Sequence, residues 1–489
     1  MSAKHAYLGL DIGGTGAKAG VFDAAGAQLG RGHCPFTPRS PEPGHVEIEI
    51  EEIYQAARTA VAQALSMAHR PVAAMTIVSQ GETFVSLDEE DQPLHPAIIW
   101  YDSRASEQAR RLQEALQLHP GQEIPSAIEA ICSAPKIIWL REHALKIMRR
   151  ARRYLLLPDY LAYRLTGQAV IDPSTAASTG LYVDGAATYS RAALQASGIA
   201  EDQLARIGAP GERVGKLLPE MAREWGLSPE TELFVGTNDQ YAGAIGAGNC
   251  RPGILSETSG TCLALVTLTE KLPEPVPPGL FGGYFPIKPY FFALAYAKTA
   301  GVVLDWFRKE CAGGADFETL NAEAAKVPIG CRGVTMLPHF DGLISPTPDA
   351  AMRGLFANLT LQHTRADLYR SILEALAFSL RENLELLRGN GLTIETVRCI
   401  GGGAKNDLWL QMKADVIGMA VEKPAVTEAS MLGAAMLAAW GAGAFPSLAA
   451  TSAACYHAEL VFSPNENSRR QYEAPYRRYR ELTMKALAR

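Results

Sequence analysis

Features that mark membrane, secreted and zinc-binding proteins are missing from this 489-residue sequence. No run of 18 apolar residues occurs, and residues 1–5 do not form a charged and apolar leader. The eight cysteines are scattered without a single Cys-x-x-Cys pair. We therefore expect a soluble, cytoplasmic protein with reduced thiols, no zinc site and no membrane partner.

An excess of positive charge is also missing. The formal net charge is -6 at pH 7, and the sequence pI is ≈ 6.0. This composition leaves no broad basic surface, so we do not expect nucleic acid as a partner. The Gly-x-x-x-x-Gly-Lys-Ser/Thr motif is absent as well, which excludes the P-loop mode of nucleotide binding.

The length and the apolar content indicate more than one domain. A chain of 489 residues is too long for one core of ordinary size, and its 47% hydrophobic residues suffice to build two. Apolar strand-like segments alternate with glycine-bearing turns and helical segments, which is typical of the α/β class. We therefore predict two α/β domains.

One carboxylate, Asp239, follows an apolar segment near the middle of the chain. Residues 233–235 are typical of a buried strand, and residues 242–248 form a helical segment rich in glycine and alanine. A carboxylate at the end of a buried strand is a candidate general base. The alternative is that Asp239 only caps the following helix.

A glycine-rich turn near the N-terminus is a candidate phosphate site. Gly13, Gly14 and Gly16 join two predicted strands within residues 7–23. Glycines allow positive φ and close approach, so successive backbone N–H groups can face one set of phosphate oxygens. Asp11 leads into this turn and is a candidate Mg²⁺ ligand acting through water. A hairpin without any ligand is the alternative.

Polar side chains follow two further predicted strands, in the segments Ser79-Gln-Gly-Glu-Thr-Phe84 and Trp100-Tyr-Asp-Ser-Arg104. Strand ends of an α/β sheet deliver side chains to ligand sites. Glu82, Asp102 and Arg104 offer hydrogen-bonding groups, and Trp100 offers a flat apolar face. Together they suit a polyhydroxylated small molecule. Ordinary surface or ion-pair roles are the alternative for each residue.

The second half of the chain repeats the strand, turn and strand pattern. Residues 253–266 contain the turn Thr258-Ser-Gly-Thr261, and residues 396–400 form a strand that ends at three glycines, 401–403. Glycines before a helix allow the backbone to lie against a planar ring or a phosphate. The two similar turns favour duplicated domains with a nucleotide between them. We predict helices at residues 368–387 and 407–417, and a polar loop at 171–180 that orders over a ligand or lies at the surface.

Taken in order, these motifs resemble those of the FGGY carbohydrate kinases. The matching segments are Asp11-Ile-Gly-Gly-Thr15, residues 133–139, Gly236-Thr-Asn-Asp239, Thr258-Ser-Gly-Thr261, Gly401-Gly-Gly-Ala404 with Trp409, Gln411 and Asp415, and Glu428 with Leu432-Gly433-Ala434. The resemblance spans the chain. It implies two actin-like (RNase H-like, ASKHA) α/β domains with an interdomain cleft, an N-terminal sugar-binding domain at 1–246 and a C-terminal ATP-binding domain at 247–489.

The resemblance also implies roles for individual residues. Asp239 is the expected base for the attacked hydroxyl, and Asp11 and Asp239 are the expected residues at Mg²⁺. For ATP we assign Gly13, Gly14, Thr15, Lys18, Ser259, Gly260, Thr261, Gly402, Gly403 and Asn406. For the sugar we assign Gln80, Gly81, Glu82, Trp100, Asp102, Arg104, Asp239 and Gln240.

The chain departs from the family pattern at two places, the predicted phosphate hairpin and the predicted sugar site. Gly14 and Gly16 stand where these kinases mostly carry hydroxyl residues. The segment Gln80-Gly-Glu-Thr83 is similar to the Gln-Arg-Glu-Thr of glycerol kinases without the arginine, which indicates a roomier pocket. We therefore expect ATP-dependent phosphorylation of a small sugar or polyol, first of all a pentulose such as xylulose. Glycerol, a pentitol and a sugar acid stay open.

Two other classes of function stay open. One is a non-catalytic sugar sensor with an actin-like fold, which the joint presence of Asp11 and Asp239 argues against. The other is an ATPase or an acetate-type phosphotransferase, which needs an acidic substrate and finds little support in the lone Arg104. The sequence also leaves the oligomeric state open, with a homodimer as one alternative.

Overall fold

The computed structural model describes residues 5–117, 125, 128–183, 187–260 and 262–488. The chain divides into two compact units. Unit 1 comprises Met1–Gly246, Tyr284–Ile287 and Ser430–Cys455, and unit 2 comprises Ala247–Gly283, Lys288–Ala429 and Tyr456–Arg489. The domain ranges derived from the sequence, 1–246 and 247–489, stay a prediction.

Unit 1 alternates strands and helices along most of its length. Its strands are β1 (Ala6–Ile12), β2 (Gly16–Phe22), β3 (Gln28–Pro35), β4 (Glu47–Ile48), β5 (Val72–Ser79), β6 (Phe84–Leu87), β7 (Ala97–Ile98), β8 (Arg153–Leu156), β9 (Val170–Ile171), β10 (Tyr182–Val183), β11 (Thr188–Tyr189), β12 (Arg206–Ile207), β13 (Arg213–Lys216) and β14 (Glu232–Phe234). Its helices before residue 247 are α1 (Ile50–Ala68), α2 (Ser106–Gln117), α3 (Ser133–His143), α4 (Leu145–Met148), α5 (Leu157–Thr166), α6 (Pro173–Ala177), α7 (Arg191–Ser197), α8 (Pro219–Trp225) and α9 (Asp239–Gly246).

The central sheet of unit 1 has, in the described part of the chain, six strands in the order β13-β14-β5-β1-β2-β3. β1 pairs with β2 as an antiparallel hairpin, while β5 runs parallel to both β1 and β14. Every residue of β1 is buried, as expected for a strand covered on both faces. Because β1, β5 and β14 run in the same direction, their carboxyl ends lie at one edge of the sheet.

Unit 2 contains most of the remaining elements. They are β15 (Gly253–Ser259), β16 (Leu263–Thr269), β17 (Leu280–Tyr284), β18 (Phe291–Ala297), α10 (Gly301–Trp306), α11 (Phe317–Ala324), β19 (Thr335–Leu337), β20 (Leu355–Ala357), α12 (Arg365–Gly389), β21 (Ile394–Ile400), α13 (Asp407–Ile417), β22 (Val421–Pro424), α14 (Ala429–Gly441), α15 (Leu448–Cys455), β23 (Ala458–Phe462) and α16 (Glu466–Leu487). Of these, α15 and all of α14 after its first residue belong to unit 1.

The sheet of unit 2 has seven strands in the described residues, in the order β17-β18-β16-β15-β21-β22-β23. β15 and β16 form an antiparallel hairpin, and β21 runs parallel to β15. The apolar face of α12 packs into the core beside this sheet, together with α13 and α16. The first hairpin, the second hairpin and the helices predicted at 368–387 and 407–417 are thus confirmed.

No helix in the described ranges is both long enough and apolar enough to cross a lipid bilayer. Each unit instead has its own buried apolar cluster.

Helix α14 packs against unit 1 at very short range. A Cβ atom on Gly433 would lie 1.9 Å from the carbonyl oxygen of Ala242 in α9, and one on Gly9 in β1 would lie 1.9 Å from the carbonyl oxygen of Met431. Both separations are far below van der Waals contact, so only glycine fits at these two positions. Most of α14 therefore completes unit 1, although it follows most of unit 2 in the sequence.

We predict that Gly433→Ala lowers the free energy of unfolding by about 3 kcal/mol or more, since the backbone oxygen of Ala242 cannot move away as a flexible side chain does. Thermal and urea unfolding measure the effect. Gly389→Ala is the matched control, because a Cβ there meets no atom within 4 Å. It lies at the end of α12, and we expect a change of about 1 kcal/mol or less. Equal stability of the two variants would contradict the close approach.

Candidate functional site

The carboxyl ends of three strands of unit 1 meet at one place. Ile12 of β1 is paired with Ser79 of β5, and Ser79 forms a parallel bridge with Asn238, which follows β14. The backbone N–H of Gln80 donates to the carbonyl oxygen of Ile12 at 3.1 Å. The sheet therefore brings together the residues that the sequence placed at three separate strand ends.

Asp239 is the first residue of α9 and is half-buried. Asn238 caps this helix, since its Oδ1 accepts the N–H of Gln240 at 3.0 Å. Burial first, and then the negative charges of Asp11 and Glu82, raise the pKa of Asp239 to about 7. Asp239 is thus a carboxylate whose protonation changes near neutral pH. Gln240 beside it is exposed.

Asp11 lies on β1 directly opposite Lys18 of β2 and is buried. The hydroxyl of Ser430 donates to its Oδ2 at 2.6 Å. The turn that follows is closed by a hydrogen bond from the N–H of Gly13 to the carbonyl of Gly16, at 3.0 Å. Thr15 at its tip is exposed. Asp11 and Asp239 therefore lie within electrostatic reach of each other beside an open turn.

Gln80 is the most unusual polar group at this edge. Its side chain is 6% exposed, yet neither its amide oxygen nor its amide nitrogen has a hydrogen-bond partner among the described residues. A Cβ on Gly14 would lie 3.4 Å from this oxygen and 3.5 Å from the indole nitrogen of Trp100. Buried amides are normally paired, so Gln80 is poised for a ligand. We call Gly14, Gln80, Glu82, Trp100 and Asp239 the acceptor region.

Glu82 contributes a second half-buried carboxylate to the acceptor region. It accepts a hydrogen bond from Ser178, and burial raises its pKa. A Cβ on the preceding Gly81 would lie 2.3 Å from the hydroxyl oxygen of Ser178 and 3.3 Å from the side chain of Asn238. Glu82 is thereby held close to the end of β14 that leads to Asp239.

The structure does not support direct contact of Asp102 and Arg104 with a substrate. Both side chains are at most 1% exposed, and the guanidinium is bonded to Asp102 at 2.7 Å and to Glu47 at 2.7 Å. Asp102 also accepts the N–H of Val46 at 2.5 Å, and Arg104 stacks 4.9 Å above the ring of Trp139. The two residues hold the turn after Trp100 in place.

The segment at 171–180 is not the loop predicted from the sequence. It contains α6, whose N-cap Asp172 accepts the N–H groups of Ser174 and Thr175. The hydroxyl of Ser174 bonds to Thr237 at 2.8 Å and accepts the N–H of Asn238 at 3.3 Å. An Asp-Pro-Ser-Thr sequence is a helix start signal that the sequence analysis missed. This network supports the strand end next to Asp239.

Unit 2 contains a cavity of about 540 Å³ beside the second glycine hairpin. Five of the residues predicted to bind ATP line it, namely Ser259, Gly260, Gly402, Gly403 and Asn406. Cβ atoms on Gly260 and Gly402 would meet nothing within 4 Å, so these two glycines face open space. The size is that of a small-molecule site. Thr261, also assigned to ATP, lies outside the described residues.

Ser259 lines the cavity, but its hydroxyl is already bonded to other side chains of the protein. It donates to Glu257 and accepts from the ammonium of Lys413 at 3.1 Å. Lys413 also bonds to both oxygens of Glu257, at 2.9 and 2.8 Å, and both side chains are at most 1% exposed. Asn406 likewise uses its oxygen to cap α13 through the N–H of Trp409. The buried ion pair therefore fixes the end of β15 behind the cavity.

Sequence reasoning missed the apolar wall of this cavity. Val302 and Phe317, which are 39% and 42% exposed, line it together with Tyr369 and Asn321. Asn321 accepts hydrogen bonds from Tyr369 at 3.1 Å and from the Asn406 amide at 2.9 Å. A planar ring fits between such walls. No local motif marks these residues, because they come from α10, α11 and α12.

Comparison with known proteins places this architecture among the two-domain actin-like sugar kinases. A solved structure described as a xyloylose kinase from Brucella ovis superposes with a TM-score of 0.87 and 27% identity, over 99% of this chain and 100% of that one. A xylulose kinase of Bacillus subtilis is 29% identical over 478 residues, covering 97% of this chain and 96% of its own length. A gluconokinase of the same organism is 27% identical over 459 residues, covering 91% and 89%.

Residues 6–246 match the family model for the FGGY family of carbohydrate kinases, N-terminal domain, and residues 256–442 match that for the C-terminal domain. The chain therefore belongs to the FGGY family of carbohydrate kinases. The predicted fold class, the family and the enzyme class are confirmed, and ATP is the phosphoryl donor that a kinase of this family implies.

We predict that Asp239→Asn stabilises the protein. The folded-state pKa of Asp239 lies above its unfolded value, so the carboxyl favours folding when protonated, and stability falls as pH rises from about 4 to about 7. The Asn variant has no carboxyl group to ionise here, so it does not lose stability in this way as pH rises. At pH 8, without nucleotide or metal, we expect a gain of about 2 kcal/mol in the free energy of unfolding, shrinking to roughly a third at pH 5. Urea unfolding at both pH values measures it, and a gain that does not shrink contradicts the raised pKa.

We predict that Lys413→Met lowers the free energy of unfolding by about 3–5 kcal/mol, because it leaves the Glu257 carboxylate buried without its counterion. The double variant with Glu257→Gln should regain most of this loss. Lys216→Met breaks the surface pair with Glu230, whose side chains are 49% and 76% exposed, and should cost about 1 kcal/mol or less. A double variant no more stable than Lys413→Met would contradict the pairing.

Proposed function

We propose that the chain transfers the terminal phosphoryl group of ATP to a hydroxyl of a small sugar or polyol, with Asp239 as the general base. The single observation that carries this proposal is the position of Asp239. It is a half-buried carboxylate at the meeting point of three strand ends, and its pKa of about 7 suits proton transfer at neutral pH.

The acceptor region supplies the groups that a sugar requires. The unpartnered amide of Gln80 offers one donor group and one acceptor group for hydroxyls. Trp100 is 36% exposed and offers a flat surface for the C–H side of the ligand. Asp239 then accepts the proton of the attacked hydroxyl while the hydroxyl oxygen bonds to the terminal phosphorus of ATP and the bond from that phosphorus to ADP breaks. A pentulose such as xylulose is the proposed acceptor, in line with the xylulose kinase of Bacillus subtilis.

Unit 2 supplies the nucleotide site in this proposal. The adenosine fits the cavity between Phe317, Tyr369 and the flat backbone of Gly402 and Gly403. The backbone of the two glycine hairpins and Lys18 are the proposed phosphate contacts. Asp11 and Asp239 offer carboxylate oxygens that suit Mg²⁺, which uses few protein ligands and would offset phosphate charge when bound.

We predict that Asp239→Asn lowers kcat by about 10³-fold or more, because the proton acceptor is lost. The KM for ATP should change less than about threefold, because the amide keeps an oxygen atom that can face Mg²⁺ and Asp11 is unchanged. A coupled ADP assay with D-xylulose measures both constants. Asp23→Asn is the control, since Asp23 binds the N–H groups of the turn between β2 and β3, and its turnover should stay within about twofold. More than a tenth of normal turnover in Asp239→Asn would reject the role as base.

A further inference from the structure

The acceptor region lies in a concentration of negative charge. Three carboxylates, those of Asp11, Glu82 and Asp239, come from the ends of β1, β5 and β14. Asp11 and Glu82 both act electrostatically on Asp239. The strand pairing explains why they are close, since Ser79 is paired with Ile12 and bridged to Asn238. These carboxylates attract a positively charged ligand and repel a negatively charged one at short range.

Two cations of the segments around the acceptor region, Arg104 and Lys136, already have protein partners. Arg104 donates its guanidinium to Asp102 and Glu47 and is 1% exposed. Lys136 is fully buried and donates to the carbonyl oxygens of Ile99 and Trp100, at 3.0 and 2.8 Å. Both side chains therefore hold the turn at residues 99–104 and cannot form an ion pair with a ligand without breaking these bonds. The charge of Lys136 also acts on Glu82 and offsets part of its negative charge.

A third cation, Lys18, lies on β2 directly across from Asp11. Asp11 is therefore the carboxylate that faces it across the hairpin. The remaining polar groups of the acceptor region are uncharged, namely the Gln80 amide and the Trp100 indole nitrogen, which lie 3.4 and 3.5 Å from the Cβ position of Gly14. Amides and carboxylates pair well with hydroxyl groups, whereas a ligand carboxylate would face carboxylates.

We propose that the acceptor region selects neutral polyhydroxylated molecules, ketoses or polyols, and rejects aldonates of the same carbon chain, with Glu82 as the residue that determines this specificity. The inference rests on the proposed kinase function and narrows its substrate class. The proposed selection also distinguishes between two relatives of this chain. The xylulose kinase is named for a neutral sugar, and the gluconokinase is named for a sugar acid. A neutral ligand satisfies Gln80 and Glu82 without adding charge.

The test compares pairs of acceptors with the same number of carbon atoms, one a neutral ketose and the other a negatively charged aldonate. D-xylulose is compared with D-xylonate, and D-fructose with D-gluconate, in a coupled ADP assay at pH 8. We expect kcat/KM for the better neutral compound to exceed that for the better aldonate by at least about 100-fold. The same four compounds are titrated by calorimetry without ATP, so that binding is decided even where no turnover occurs.

The variant Glu82→Gln removes one negative charge and keeps the shape of the side chain. We expect the preference for the neutral member of each pair to shrink by about tenfold, mainly because the aldonate gains. Glu232→Gln at the opposite end of β14 is the control, since it removes the same charge from an exposed pair with Arg213. It should leave the preference unchanged. Thermal unfolding verifies that both variants are folded.

The outcomes are distinct. An aldonate that binds or reacts as well as its neutral partner overturns the charge selection and leaves the kinase function standing. An unchanged preference in Glu82→Gln overturns the assignment to Glu82. If ADP forms with no compound while calorimetry shows that only neutral compounds bind, the kinase proposal fails and the charge selection holds. If ADP forms with no compound and calorimetry shows that aldonates bind, the kinase proposal and the charge selection both fail.

Discussion

Repulsion between like charges is the constraint on which the rest of unit 1 depends. The direction of β1, β5 and β14 brings Asp11, Glu82 and Asp239 to one edge of the sheet. Bringing several carboxylates together in a partly desolvated region opposes folding. The surrounding structure must therefore hold them with other bonds. Burial first, and this repulsion second, keep the pKa of Asp239 raised, which is the property that a base for a neutral hydroxyl requires.

The supporting bonds come from residues outside the acceptor region. Asp172 holds Ser174, which in turn holds Thr237 and Asn238 just before Asp239. Lys136 binds the backbone at Trp100. In unit 2, Lys413 plays a comparable part for Ser259, through the buried pair with Glu257. In both units, buried charged groups fix the ends of strands, and the ends of strands carry the proposed contacts.

Local patterns predicted much of this arrangement. The hairpins, the strand before Asp239 and the glycine turn before α13 follow from apolar runs that stop at glycine, and such signals lie within a few residues. Long-range pairing left no such signal. Ser259 and Lys413 are 154 residues apart, and Arg104 finds Glu47 through tertiary structure alone. The sequence therefore could not show that the Arg104 guanidinium and the Ser259 hydroxyl bond to other residues of the protein.

The packing of α14 on α9 and β1 has a consequence for biosynthesis. Gly433 and Met431 approach Ala242 and Gly9 as closely as backbone allows, so the first-made half of the protein lacks part of its own interior until residues near 455 leave the ribosome. The nascent chain must keep the exposed flank of α9 from aggregating during that interval. Most of unit 2, namely Ala247–Gly283 and Lys288–Ala429, is synthesised in the meantime.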